Sequence, residues 1–136
     1  MKVLSLFDGI SCGMLALQRA GIPVECYDAF EIDKYAVTVS KRNFPVIVHH
    51  GNVYDGDFTQ FKGYDLLLGG SPCTYWSIAK KDREVDCNGE GFRLFKEYVR
   101  ALEESGCKYF LYENNYSVHQ NIKDEITRVL GVGPIM

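Results

Sequence analysis

The strongest constraint on how this chain can fold is an alternation. Short runs of β-forming residues, each of strand length, take turns with stretches whose apolar residues recur at helical spacing. Residues 3–7 (VLSLF) form the first run and stop at Asp8-Gly9. Met14, Leu15, Leu17 and Ala20 then repeat at helical spacing until Gly21-Ile22-Pro23 closes the helix. Residues 24–32 are rich in β-formers and end on the acids Glu31 and Asp33, and residues 34–43 read as a helix closed by Pro45. Further strands are expected at 46–49, 64–68 and 108–112, and further helices at 92–104 and 121–130. Strands alternating with helices in this way predict an α/β fold, a doubly wound and mostly parallel sheet covered on both faces. Its ligands are expected at the carboxyl ends of the strands.

Composition bounds what such a sheet can serve. With 136 residues, 46% hydrophobic and 24% charged, the chain reads as one globular domain, and one hydrophobic core is expected. The longest apolar runs, such as 66–68, are far short of the roughly 20 residues a membrane span needs. The first residues, MKVLSLFD, lack the small-residue cleavage site of a signal peptide, so the expected location is cytoplasmic. A net charge of -3 argues against a chain that grips nucleic acid along its whole surface. The five cysteines, Cys12, Cys26, Cys73, Cys87 and Cys107, are odd in number and contain no C-x-x-C pair. Reduced thiols are expected, with no metal site.

Residues able to do chemistry cluster after the predicted strands. In FDGISCG (7–13), glycine permits a tight turn, and the start of the following helix offers backbone N–H groups to an anionic ligand such as a carboxylate. The spacing G-x-x-x-G differs from the G-x-G-x-x-G of dinucleotide binders, and a plain strand-to-helix turn is the alternative. Glu31 lies 22 residues after Gly9, where nucleotide-binding sheets place an acid for ribose hydroxyls; a solvated carboxylate at a helix start is the alternative. Asn52, after the third run, could meet an adenine edge or form a turn. LGGSPC (68–73) empties a buried strand through two glycines and a proline onto Cys73, presenting one thiol rigidly. Cys12, Cys26 and Cys107 have no such context and read as small buried residues. Tyr112-Glu113-Asn114 sets a carboxylate at the end of the next apolar run, beside Cys73 if the fourth and fifth strands pair. The polar stretch 74–91, with Lys80-Lys81-Asp82-Arg83-Glu84, reads as an active-site loop.

Taken in order, these segments resemble the motifs of the cytosine carbon-5 DNA methyltransferases: FDGISCG, EIDKYA, GNVYD, GGSPC, GFRLFKEY and YENN. The wording LSLFDGI, GGSPC and GEGFRLFKEY is similar to vertebrate de novo enzymes and to phage or bacterial relatives. The resemblance implies a Rossmann-like methyltransferase fold and S-adenosylmethionine as cofactor. It implies that the thiolate of Cys73 adds to carbon 6 of a flipped cytosine, so that carbon 5 attacks the methyl group. Loss of the carbon 5 proton then expels the thiolate, and Glu113 hydrogen-bonds the base at ring nitrogen 3 and its exocyclic amine. Family roles carried onto matching positions set Phe7, Asp8, Gly9 and Cys12 along the cofactor and Glu31 on its ribose. Ile32 would pack on adenine, Asn52 and Val53 would meet the adenine edge, Pro72 would support the nucleophile, and Leu94 would touch the methionine end.

The chain also departs from the family pattern. Asn52 stands where the family usually has aspartate, Thr74 where it has an amide residue, and Asn115 where it has valine. Family members continue through an arginine-bearing motif, a target recognition domain and closing motifs that are absent from residues 1–136. These residues are therefore expected to be the N-terminal part of the cofactor-binding catalytic domain, ending before the last strands of the sheet and inactive or incomplete as they stand. The implied partners are cytosine-containing DNA and a second chain supplying the missing motifs, or another copy pairing along the edge of the fifth strand. A non-catalytic cofactor-binding or interaction module and a transfer-RNA cytosine methyltransferase are the alternatives. An NAD-dependent oxidoreductase is disfavoured by the glycine spacing and leaves GGSPC unexplained.

Overall fold

The carboxyl ends of two strands far apart in sequence are brought side by side by the order of the sheet. The computed structural model describes residues 1–70, 89–114 and 120–133. Its strands are β1 (Lys2–Leu6), β2 (Cys26–Phe30), β3 (Val48–His49), β4 (Leu66–Gly69) and β5 (Tyr109–Tyr112). The helices between and after them are α1 (Cys12–Arg19), α2 (Lys34–Asn43), α3 (Glu90–Ser105) and α4 (Gln120–Leu130). The strands lie in the order β3-β2-β1-β4-β5, and every pair is parallel. The chain winds outward from β1 through β2 to β3, then returns to β1's other side as β4. The order therefore reverses between β1 and β4, where open α/β sheets bind their ligands.

Side chains alternate across the sheet as strand geometry requires. On one face Leu4, Leu6, Phe30 and Leu67 pack with Phe58 and Phe61 and with Tyr98 and Ala101 of α3. On the other, Val3, Tyr27 and Ala29 pack with Met14 and Leu17 of α1 and with Ile47. Helix α3 buries Phe92, Phe95, Tyr98, Ala101 and Ser105, a strict three-to-four residue stripe, and ends on Gly106 at φ 63°. Ile122 of α4 seals against Phe92 and Phe95. Tyr98 also donates its hydroxyl to the carbonyls of Leu67 (3.2 Å) and Leu111 (3.1 Å), tying α3 to β4 and β5 at once. Among the described residues, no helix is long and apolar enough to cross a membrane.

The structure trims and extends the expected elements. β2 covers five residues of the expected run and β3 only two, between Pro45 and Gly51, whose φ of 95° turns the chain away from the sheet. Two 3-10 turns, Val53–Asp55 and Phe58–Phe61, occupy a connection the apolar spacing left unassigned. They carry Phe58 and Phe61 onto Phe30, at ring-centroid distances of 5.2 and 6.1 Å. Beside them Asp28 is 7% exposed, and its carboxylate is satisfied by His50 Nε2 at 2.7 Å and by the Tyr64 hydroxyl. Most of the stretch 74–91, expected to be an active-site loop, lies outside the described residues.

Two close approaches hold the carboxyl end of β4. A Cβ on Gly69 would sit 2.7 Å from the Tyr98 ring, and one on Gly70 would sit 2.5 Å from the carbonyl oxygen of Glu113. Gly70→Ala should therefore push β4 and the residues after β5 apart, costing about 1–3 kcal/mol as overpacking does, read from urea midpoints. A second prediction concerns His49, which reaches Ser40 Oγ of α2 through Nε2 at 3.5 Å while its buried Nδ1 has no hydrogen-bond partner. Burial first, and then the positive Lys41, hold its pKa below the ordinary histidine value. A depressed folded-state pKa means the unfolded chain takes the proton first. Stability from this residue is thus complete above about pH 6.5 and falls as the solution is acidified. His49→Gln should flatten the decline in urea midpoint between pH 7 and pH 5.

Candidate functional site

The turn from β1 into α1 is an unusual piece of backbone. Phe7, Gly9 and Ser11 all lie in the left-handed region, at φ 57°, 60° and 71°. Glycine takes that conformation freely, whereas Phe7 and Ser11 each carry a cost on the order of 1–3 kcal/mol that neighbouring contacts must offset. Asp8 supplies those contacts. Its carboxylate accepts from Ser5 Oγ (2.7 Å), Tyr27 Oη (2.6 Å) and Ser11 Oγ, and its backbone N–H donates to Phe30 O at 3.2 Å. Burial, and then Asp8 itself, push the Tyr27 phenol well above its ordinary pKa, so this donor keeps its proton. Ser11, fully buried, pairs with Ser40 Oγ at 2.5 Å. A carboxylate only accepts, so the Ser11 proton points to Asp8 and the Ser40 proton to Ser11, leaving Ser40 to accept from His49 Nε2–H. One polar relay therefore runs from β1 through α2 to β3.

Next to this turn stands Glu31, just past the end of β2. Its Oε1 accepts from the Gly9 N–H at 2.8 Å and its Oε2 from the Asp33 N–H at 3.0 Å. Both oxygens are oriented, and each retains lone-pair capacity toward solvent. Ile32 follows, an apolar side chain 71% exposed. Asp33 caps α2 by accepting from Tyr35 N and Ala36 N. Asn52 is exposed, and its Oδ1 accepts from the Tyr54 N–H at 3.0 Å, so the side chain forms the turn that was one of its two readings. Val53 is 5% exposed and belongs to the core, which leaves its backbone as the part able to meet a ligand. Phe7 is half-buried against the same core, and Cys12, expected to be a small buried residue, is instead an exposed free thiol at the first residue of α1, because that helix buries Met14 and Leu17.

The fourth and fifth strands pair as the sequence reading required. Gly69 lies opposite Tyr112, and the ladder continues as the Glu113 N–H donates to Gly69 O at 2.8 Å. Glu113 is exposed, and its Oε2 lies 3.0 Å from where a Gly70 Cβ would point. The carboxylate thus stands beside the first half of GGSPC. Pro72 and Cys73 lie outside the described residues. Leu94 is half-buried against the main core from α3. Of the residues singled out from sequence, Phe7, Asp8, Gly9, Cys12, Glu31 and Ile32 share the β1–β2 end of the site, and Glu113 flanks β4. Among the described residues no cluster of three or more His, Cys, Asp or Glu could hold a metal ion.

Sequence reasoning missed the residues that hold these groups. Ser5 and Ser11 flank Asp8 at three residues on either side, a local signal that was present but unread. Tyr27, Ser40 and Arg100 act across long separations and left no local pattern. Arg100 of α3 donates to Val53 O at 2.9 Å and to Gly56 O at 2.8 Å, both in the first 3-10 turn and its cap.

With this geometry in view, comparison with known proteins is direct. The family model described as C-5 cytosine-specific DNA methylase matches residues 1–130. The orphan methyltransferase M.SPRI of Bacillus phage SPR is 38% identical over 118 residues, covering 84% of this chain and 26% of that protein. The type II methyltransferase M.HgiCII of Herpetosiphon aurantiacus is 34% identical over 116 residues, covering 83% of this chain and 25% of that protein. The chain thus spans about a quarter of the length of these curated relatives. Among solved structures, a mutant of DNMT2 from Spodoptera frugiperda superposes with a TM-score of 0.72 at 24% identity, covering 96% of this chain and 40% of that one. Dnmt2 of S. pombe gives 0.65 at 18% identity, covering 96% and 41%. These two likenesses show a shared fold, and the family match covers the sheet and all four helices. The chain belongs to the C-5 cytosine-specific DNA methylase family.

Proposed function

We propose that this chain is the cofactor-binding, nucleophile-bearing part of a DNA cytosine carbon-5 methyltransferase. The observation that carries the reading is the β4–β5 register, which sets Glu113 against Gly70 at the same sheet end where Glu31 holds the Gly9 amide. S-adenosylmethionine supplies an electrophilic methyl group when bound. The residues present fit it. Glu31 offers oriented carboxylate oxygens for ribose hydroxyls, Ile32 an exposed apolar surface for a base, and the Asn52–Val53 turn a polar edge. The turn 7–12 leads into α1, whose N-terminal dipole favours an anionic group such as a carboxylate.

In this reading Cys73 attacks carbon 6 of the cytosine as a thiolate, and the electron pair displaced toward carbon 5 makes that carbon nucleophilic. Glu113 binds the ring nitrogen and exocyclic amine and stabilises charge that develops there. After methyl transfer, a water molecule acting as base takes the carbon 5 proton, the released electron pair re-forms the carbon 5–carbon 6 double bond, and the carbon–sulfur bond breaks to free the Cys73 thiolate. Asp8 acts within the protein by fixing the turn beside the cofactor, since its carboxylate already accepts from three hydroxyls. The remaining motifs of the family are supplied by further polypeptide. Among the described residues β5 is the end strand of the sheet, with Tyr109 54% and Leu111 61% exposed, and its outer edge takes the next strand.

S-adenosylhomocysteine should raise the melting temperature of the chain, by the equivalent of about 2.7 kcal/mol at a hundredfold excess over its dissociation constant. Glu31→Ala should remove most of that shift, and NAD should produce none; stabilisation by NAD alone would overturn the cofactor assignment. A further prediction concerns the covalent step. With S-adenosylmethionine and a polypeptide supplying the remaining motifs, a duplex carrying 5-fluorocytosine should become cross-linked to the chain, because fluorine cannot leave as a proton does. Cys73→Ala should abolish the adduct and Glu113→Gln should slow it by roughly 10²–10³-fold. Light scattering of the mixture reads the association through β5, and faster trapping on an RNA oligonucleotide than on DNA would move the substrate assignment to RNA.

A further inference from the structure

The connection between β3 and β4 hangs from three side chains of α3, Glu90, Arg100 and Glu104. Tyr54 Oη donates to Glu90 Oε1 at 2.6 Å, Arg100 donates to Val53 O and Gly56 O, and Glu104 Oε1 accepts from the Phe58 N–H at 3.1 Å. Arg100 is the centre of this arrangement. Its Nε is held by Glu97 at 2.5 Å and its Nη1 faces Glu104 at 3.3 Å, while the guanidinium carbon lies 4.5 Å over the Phe58 ring. The side chain is about two-thirds buried, and its fork is used on backbone carbonyls. The peptide unit joining Val53 to Tyr54 is bonded at both ends: its carbonyl accepts from Arg100 Nη2 at 2.9 Å and from the Gly56 N–H at 3.1 Å, and its N–H donates to Asn52 Oδ1 at 3.0 Å. The plane of one peptide thus fixes the direction of one side chain. Asn52 Oδ1 has a second lone pair, and Arg100, together with the turn's own Gly56 bond, holds the peptide that sets where that lone pair points.

We propose that Arg100 is a positioning residue for base recognition, acting through the Val53–Tyr54 peptide to aim Asn52 at the edge of the cofactor's adenine. This rests on the cofactor assignment made above. Lysine cannot replace it, because a single ammonium on a flexible stem lacks the planar fork that reaches two carbonyls while stacking on Phe58. A clamp that only stabilised the fold would weaken all ligands alike, whereas a residue that aims Asn52 changes which base is preferred.

The test is calorimetric titration of the wild-type chain, Arg100→Lys and Glu104→Gln with S-adenosylhomocysteine and with S-inosylhomocysteine, whose base carries a carbonyl in place of the amine. The wild type is expected to prefer the adenine ligand, and Arg100→Lys to reduce that preference by roughly tenfold, the scale of one charge-assisted hydrogen bond. Glu104→Gln preserves an acceptor for the Phe58 N–H and should shift the preference in the same direction by less; it carries the test if Arg100→Lys does not fold. Equal losses for both ligands, or an unchanged preference in a folded variant, would overturn the positioning role while leaving the cofactor reading intact. Failure of the wild type to bind either ligand would overturn both.

Discussion

The site depends on a carboxylate that faces inward. Asp8 gathers three hydroxyl protons and so holds a turn in which two non-glycine residues occupy left-handed backbone. Without it, Phe7 and Ser11 would relax toward ordinary conformations, Gly9 would leave Glu31, and α1 would enter at a different angle. A hydrogen bond is worth about 0.5–1.5 kcal/mol net, or up to roughly 3 kcal/mol when it goes to a charged group. Three of them together match the backbone strain, which is why the turn can be both strained and well defined. The acid is thereby spent on structure, and Glu31 is left as the carboxylate that faces outward.

The other half of the site depends on the absence of side chains. Gly69 lets the Tyr98 ring lie against β4, and Gly70 lets the backbone after β5 close to van der Waals contact. The parallel register then does the rest, because Glu113 can only follow Tyr112, and Tyr112 is fixed opposite Gly69. The two halves meet because β1 and β4 are neighbours, with Leu6 opposite Gly69. Position comes from the sheet and chemistry from the residues that leave it.

The sheet was legible in the sequence because its strands are short apolar runs and its helices bury stripes at helical spacing. Phe92, Phe95, Tyr98 and Ala101 made α3 plain, and the acids and glycines after each run marked the site end of the sheet. The 3-10 turns were not legible by that method. Their buried pair, Phe58 and Phe61, repeats at three residues, and their caps, Asn52 and Asp57, each bond an amide two residues on. Read as an apolar period, three residues is ambiguous; read with the caps, it is a turn. Asp8 was singled out as lining a ligand, and it lies in the expected turn, but its inward bond to Tyr27 depends on β2, 19 residues away, and carries no local pattern, whereas the serines three residues to either side did mark it. Arg100 was invisible for a similar reason, since its partners are backbone carbonyls on a distant turn and carry no identity.

The place of β1 in the sheet has a consequence for how the chain assembles. Of the five described strands the central one, β1, is made before its neighbours, and its second neighbour, β4, begins only at Leu66, paired with Val3. The β1–α1–β2 unit can form from comparatively local contacts, but closing the sheet across β1 and β4 encloses a long loop whose entropy is lost before pairing offsets it. Until then one edge of β1 and the apolar residues on its flanks remain open to other chains. A folding polypeptide of this kind leaves that edge of β1 open until β4 has been made, so the step that completes the binding end of the sheet also closes one route to aggregation.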